Sequence, residues 1–302
     1  MITDVIASLK KFDIRPAKSL GQNFLTDVSI IRRIVDVAGI KSSDAVLEIG
    51  PGLGNMTAEL ASRAGMVVAV EIDKRLIPVL KDNLKDFENV HILNRDIMKF
   101  DICSDMPGLT HMQDYTDWAG IGFKPAPFKI VANLPYYITT PIIMGLLEKN
   151  ISDSVDLMVF MVQSEVADRI VARPGGKEYG ALSVAVQYFS QPARIFDVPP
   201  QCFVPQPGVV STVVRFDVRK APPVSLLDKE LFFKTVRASF GQRRKMLVNA
   251  LYNSGYFSIG KEDIKEILRN IGIGEHQRGE TLSIMQFAEL ANCISKYSLL
   301  KN

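Results

Sequence analysis

Cysteine and histidine are scarce, with three of each in 302 residues. Cys103, Cys202 and Cys293 lie far apart and form no C-x-x-C pair. That spacing argues against a disulfide framework or a zinc site and fits reduced thiols in a cytosolic protein. His91, His111 and His276 are scattered too, so a His-based metal site or a Ser-His-Asp triad has little to draw on. No apolar run approaches the ~18 residues that span a bilayer. The opening MITDVIASLKKFDIRPAK carries Asp4 and no apolar stretch of signal-peptide length. The expectation is a cytoplasmic protein with neither metal nor membrane partner.

What is present is an ordinary globular composition, 47% hydrophobic and 23% charged. At about 150 residues per domain the length suggests two domains. Charge is unevenly distributed. Of a net +3, residues 219–302 contribute +6 (14 Lys and Arg against 8 Asp and Glu), which leaves −3 for residues 1–218. A mildly acidic body with a basic C-terminal part suggests a polyanion partner. A solvated helical face is an equally good reading of the charge alone.

Short runs rich in Val, Ile and Leu alternate with helical patterns through residue 218. AVLEIG (45–50), MVVAVEID (66–73), NVHILN (89–94), FKIVANL (128–134) and DLMVFMVQ (156–163) read as buried strands. Helical stretches such as NMTAELASRAG and DKRLIPVLKDNLKDF lie between them. This alternation predicts βαβ units and a mostly parallel sheet covered on both faces. ARIFDV (193–198) and STVVRFDV (211–218) are separated only by a proline-rich loop and read as an antiparallel pair at one end of the sheet. A linker is expected at Arg219-Lys220-Ala221-Pro222-Pro223. It divides an α/β domain, 1–218, from a small all-helical domain, 219–302. Residues 102–127 are polar and aperiodic and read as a long surface loop.

Four elements carry chemistry. Glu48-Ile-Gly50-Pro-Gly52-Leu-Gly54 follows the first of these strands and precedes a helix. Glycines there allow a sharp turn and close approach to a ligand. The spacing is G-x-G-x-G with an acid two residues before the first glycine. That pattern disfavours a dinucleotide fingerprint and favours S-adenosylmethionine. Glu71, at the end of the next strand, can accept both ribose hydroxyls of a nucleoside. Asp96, at the end of the third, can accept from the exocyclic amine of the cofactor's adenine. Asn133-Leu134-Pro135-Tyr136 follows the fourth strand. A nucleobase amine is a poor nucleophile because its lone pair is delocalised. The Asn133 side-chain oxygen and the Leu134 carbonyl can hold it and bend it toward sp³ geometry. Pro135 fixes the backbone, and Tyr136 offers a stacking face for an extruded base. Phe203, flanked by prolines, reads either as a stacking face for the same base or as a core ring plugging the sheet edge.

Together with Gly21-Gln22-Asn23-Phe24-Leu25, Phe203-x-Pro-x-Pro and Phe240-Gly241-Gln242-Arg243-Arg244-Lys245, these motifs resemble, in order, the KsgA/RsmA family of ribosomal RNA adenine dimethyltransferases. The likeness covers residues 14–291. It implies a class I, Rossmann-like methyltransferase fold with a seven-stranded, mostly parallel sheet and a small helical C-terminal domain. It implies transfer of four methyls from S-adenosyl-L-methionine to N6 of two adjacent adenosines near the 3′ end of 16S rRNA, within the 30S particle, by a monomer. Asn23, Leu25, Gly50, Glu71, Asp96 and Asn133 are then the cofactor residues.

Arg243, Arg244 and Lys245, with Arg237 before them, read as a helical cluster suited to rRNA phosphates. Lys10, Lys11, Arg15 and Lys18 form a basic arm that is either a solvated tail or a further RNA contact. Two other functions share some of these features. One is an Erm-type methyltransferase of 23S rRNA, which would keep the cofactor motifs. The other is a ribosome-assembly factor that binds RNA without catalysis, which has no need of Glu71, Asp96 and the Asn-Leu-Pro-Tyr turn together.

Overall fold

A computed structural model describes residues 4–101, 105, 127–149 and 151–301. The expected loop at 102–127 lies outside the described residues apart from Asp105 and Pro127, as do Cys103 and His111. The chain forms two compact units. One comprises Met1–Ala167 with Gln191–Lys220, the other Asp168–Ser190 with Ala221–Asn302.

The first unit is built on strands β2 (Ala45–Ile49), β3 (Met66–Glu71), β4 (Val90–Asn94), β5 (Phe128–Asn133), β6 (Val155–Gln163), β7 (Ser190–Val198) and β9 (Ser211–Val218). Their order across the sheet is β4-β3-β2-β5-β6-β9-β7. The first five pair in parallel, and β9 runs antiparallel to β6. Every residue of β2 and β3 is buried, as near-continuous aliphatic runs require when helices cover both faces. Helix α2 (Val28–Ala38) presents Ile30, Ile31, Ile34, Val35 and Ala38 to a core that includes Val46, Val67, Val131 and Val159. That helix starts where the Asp27 carboxylate accepts from the Ser29 and Ile30 N–H groups, and it stops at Gly39 with φ 54°. Helices α3 (Asn55–Ala61), α4 (Ile77–Asn83) and α5 (Thr139–Glu148) complete the crossovers. A separate two-residue ladder joins β1 (Phe24–Leu25) to β8 (Phe203–Val204), with Leu25 opposite Phe203. The N-terminal arm is helix α1 (Val5–Lys11), whose Val5 is buried against Phe24, Leu53, Leu76 and Val79.

The second unit holds α7 (Ala181–Phe189), α8 (Lys229–Gly241), α9 (Leu247–Tyr252), α10 (Lys261–Asn270) and α11 (Ile284–Lys301), with α6 (Ser164–Val171) entering it. Its core gathers Tyr179, Tyr188, Phe232, Val236, Leu268, Phe287 and Leu290. Two sequence expectations change here. The segment Asp168–Ser190, assigned to the first domain, belongs to the helical unit. Its Tyr179, Val184 and Tyr188 are large apolar groups sharing a core with Phe232 and Phe287, which linear order along the chain does not reveal. The basic residues 237–245, expected together on a helix, are split by its end at Gly241. The backbone turns there, with the Lys245 N–H donating to the Gln242 carbonyl at 2.8 Å, and helix resumes at Leu247. Glycine is among the weakest helix formers.

Candidate active site

The sheet changes direction of growth at β2. Its neighbours are β3, next in sequence, on one side and β5 on the other. Ligands of open α/β sheets bind outside the carboxyl ends of the strands at such a point. Residues 48–54 leave β2 there. Gly50 and Gly52 have φ of 69° and 61°, and a Cβ on Gly52 would sit 3.0 Å from Cδ1 of Phe24. Larger residues at Gly52 would be both strained and blocked.

Three carboxylates stand at the strand ends in different states. Glu71 is buried at 4% exposure. Its Oε1 accepts from the Asp73 N–H at 2.8 Å and its Oε2 from the Gly52 N–H at 3.3 Å. Burial pushes its pKa up, and these backbone bonds oppose the rise. Asp96 caps a short turn by accepting from the Met98 N–H at 3.0 Å through Oδ1, and its Oδ2 has no partner among the described residues. Glu48 is fully buried, and among the described residues its carboxyl has the Thr57 hydroxyl beside it but no well-formed hydrogen bond. Desolvation raises its pKa to about 8; nearby Thr57 eases the rise and the Glu71 charge adds to it. A buried acid in a cleft wall can become a counter-charge when a positively charged ligand binds beside it.

Opposite these groups, at the end of β5, Asn133 donates through Nδ2 to the Asn23 carbonyl at 3.0 Å. With the nitrogen so placed, Oδ1 is the end left to accept. The Leu134 N–H is fixed on the Met161 carbonyl at 3.1 Å. Among the described residues no backbone N–H points at the Leu134 carbonyl. The Tyr136 hydroxyl lies 2.6 Å from Ser211 Oγ. Burial pushes that phenol up in pKa, with the Ser211 bond opposing.

The 21–25 segment is tied down twice. The Thr26 N–H donates to the Cys202 carbonyl at 2.8 Å, beside the β1–β8 ladder. Gln22 Nε2 donates to Asp73 Oδ2 at 2.9 Å. Arg75 and Gln22 together lower the Asp73 pKa to about 2. Gln22, Asp73 and Arg75 form a support that the sequence gives no means of pairing, since 51 positions separate Gln22 from Asp73.

One cavity, about 1100 Å³ with its open mouth, is lined by Asn23, Leu25, Gly50, Glu71, Asp96 and Asn133, and by Leu134, Pro135, Tyr136 and Glu48. The six residues expected to hold the cofactor therefore meet in one place. The set fits S-adenosylmethionine: two strand-end acceptors for a nucleoside, a glycine turn for close approach, and a buried acid that can balance a cation. Phe203 stands apart. It is 2% exposed, packs with Val198, Cys202 and Val213, and does not line the cavity. The ring is a core plug in this structure, and the alternative stacking face is not presented. Among the described residues no group of three or more His, Cys, Asp or Glu is arranged to hold a metal, and no helix is long and apolar enough to cross a membrane.

The basic residues of the second unit do not form the expected helical face. Arg237 is on α8, while Arg243, Arg244 and Lys245 lie in the turn beyond Gly241. Arg243 pairs with Glu280 at 2.9 Å and donates to the carbonyls of Gly176 and Lys177. It therefore serves as an internal tie. Arg237, Arg244 and Lys245 are exposed and have no carboxylate partner among the described residues.

Comparison with known proteins places this geometry. Residues 15–296 match the family model described as ribosomal RNA adenine dimethylase. A ribosomal RNA small subunit methyltransferase A of Alkaliphilus oremlandii is 45% identical over 95% of each chain. One of Lachnoclostridium phytofermentans is 48% identical over 92% of this chain and 91% of its own. Among solved structures, a dimethyladenosine transferase from Plasmodium falciparum superposes with a TM-score of 0.71 at 24% identity, covering 88% of this chain and 95% of its own. The 23S rRNA methyltransferase ErmE gives 0.64 at 25% identity, covering 90% and 100%. A match that runs through the glycine turn, the strand-end carboxylates and the Asn-Leu-Pro-Tyr turn makes this chain a member of the ribosomal RNA adenine dimethylase family.

Proposed function

We propose that the protein is a 16S rRNA adenine N6,N6-dimethyltransferase. It uses S-adenosyl-L-methionine to place four methyls on two adjacent adenosines near the 3′ end of small-subunit rRNA. The observation that carries this reading is the convergence of Asn23, Leu25, Gly50, Glu71, Asp96 and Asn133 on one cavity that also holds the Asn-Leu-Pro-Tyr turn.

S-adenosylmethionine supplies an electrophilic methyl when bound. Glu71 accepts the ribose hydroxyls, and Gly52 and Asp73 hold its carboxylate in place through their N–H groups. Asp96 accepts from the adenine amine with the oxygen left free by its cap. The glycine turn brings backbone close to the methionine end. Asn133 Oδ1 and the Leu134 carbonyl accept from the target amine and draw its lone pair out of conjugation. The amine surrenders its proton only as the new bond forms, so no strong general base is required. Tyr136, held at its hydroxyl by Ser211, offers a ring for the extruded base. Preorganised acceptors of this kind need no rearrangement as charge develops.

The helical unit supplies the rRNA contact through Arg237, Arg244 and Lys245. The substrate is rRNA within the 30S particle, and the enzyme acts as a cytoplasmic monomer. The Erm-type alternative has support in the ErmE likeness, but that is 25% identity against 45% and 48% for the small-subunit methyltransferases. The test offers unmethylated small subunits, large subunits and a protein-free duplex in parallel with labelled cofactor, followed by digestion and mass identification. Dimethyladenosine at two adjacent small-subunit positions is expected. Label in large-subunit RNA would move the assignment to the Erm type.

A further inference from the structure

We propose that Tyr137 is the stacking platform for the nucleobase beside the target, holding the second of the two adenosines at the mouth of the cleft while the first is methylated. The inference rests on the function proposed above, because a neighbouring base exists only for an RNA substrate.

Tyr136 and Tyr137 are consecutive in a 3₁₀ turn, Tyr136–Ile138, and both line the cavity. Side chains in such a turn diverge by roughly 120° per residue, so the two rings cannot serve one base. Their environments differ accordingly. Tyr136 is partly buried and anchored through its hydroxyl to Ser211. Tyr137 is 54% exposed. Unlike Tyr252 and Tyr256, which are nearly as exposed, Tyr137 lines the cavity.

The turn beneath Tyr137 is rigid. The Pro135 carbonyl accepts from the Ile138 N–H at 3.2 Å and from Thr139 Oγ1 at 2.9 Å. Gly21 supports the ring from the side. Its φ is 58°, and a Cβ built on it would lie 3.1 Å from Tyr137 Cδ1. A side chain there would crowd the ring edge and would be strained at that φ. A fixed, open ring at the mouth of a nucleoside cleft is suited to stack a base whatever its identity, because every base has a π-face. The reaction modifies two neighbouring nucleotides. Whichever enters the cleft leaves the other unstacked at its mouth.

The experiment compares the full-length protein with its Tyr137→Ala and Tyr137→Phe variants on unmethylated small subunits, with cofactor affinity and melting temperature measured alongside. Tyr137→Ala is expected to raise the KM for subunits about 10-fold, the effect of losing one base–aromatic stack, with cofactor affinity unchanged. Tyr137→Phe is expected to restore the wild-type KM, since stacking needs the ring and not the hydroxyl. A Tyr137→Ala enzyme with wild-type KM overturns the inference. So does one whose loss falls on cofactor affinity, or a Phe variant as impaired as Ala. Absence of small-subunit label with the wild-type protein overturns the proposed function itself and the inference with it; a labelled wild type with an unaffected variant overturns the inference alone.

Discussion

The strand-end cleft and the basic turn after α8 are both marked by dense motifs, yet they use their residues in opposite ways. In the cleft each motif is fused to a buried strand. Glu71 closes β3 and Asn133 closes β5, so the sheet register places both side chains. In the turn, three residues of like charge occupy a segment whose backbone leaves the helix at Gly241. Position, and not charge, then sorts them. All three are exposed, yet Arg243 is paired with Glu280 and two carbonyls while its neighbours have no carboxylate partner among the described residues. Chemistry tied to a strand end is set by the fold; chemistry carried by a charge run is divided by local geometry.

The sharpest way to break this contrast is at Asn133. Asn133→Ala is expected to lower kcat about 100-fold or more, as removal of a preorganised polar group at the reacting centre does, with the melting temperature nearly unchanged. A kcat within a few-fold of wild type would mean that the strand end does not set the chemistry.

Glu48 tests the same region through pH. Its pKa in the folded chain is about 8, against an ordinary carboxyl value of 4.5. The folded state therefore holds a proton that the unfolded state has released between those values. Stability falls as pH rises through that window, by about 1.4 kcal/mol per pH unit at most. Glu48→Gln should flatten this decline in cofactor-free protein, read as melting temperature at pH 5, 6.5 and 8. Parallel curves for the two proteins would show that Glu48 does not titrate there.

Glu71→Gln keeps the shape and removes the charge. Cofactor Kd should rise about 10-fold, the scale of a charge-assisted hydrogen bond, as measured by calorimetry. The smallest effects belong to the basic turn. Arg243→Ala should lower the melting temperature by a few degrees because it breaks an internal tie. Arg244→Ala and Lys245→Ala should leave it unchanged and each reduce the salt dependence of RNA binding by about one charge. If Arg243 behaved like Arg244, the division of labour within the turn would fail.

The same contrast explains what was legible in the sequence. The aliphatic runs at 45–50, 66–73 and 128–134 announce buried parallel strands, and the acids and amide at their ends inherit a position from them. Strands β1 and β8 are two residues each, too short for any periodicity, so the ladder setting Leu25 opposite Phe203 is invisible before folding. That ladder helps to place Phe203 in the core. Asp168–Ser190 precedes the last two sheet strands in sequence yet shares a core with Phe232 and Phe287, a choice made by apolar partners more than 40 positions away. Residue identity likewise could not tell that Glu71 accepts from two backbone N–H groups while Glu48 accepts from none among the described residues.

The bond from Thr26 to Cys202 spans 176 positions, and it has a consequence for the order of synthesis. Domains acquire structure as they are made, N-terminal parts first. The glycine turn and Glu71 can settle as soon as their strands exist. The segment carrying Asn23 and Leu25 is translated before them and can hold to Asp73 through Gln22, yet its ladder partner is made about 180 residues later. The oldest stretch of the cleft is thus braced from behind by chain made long after the rest of its lining, so the last part of the site to be secured is the first to be made.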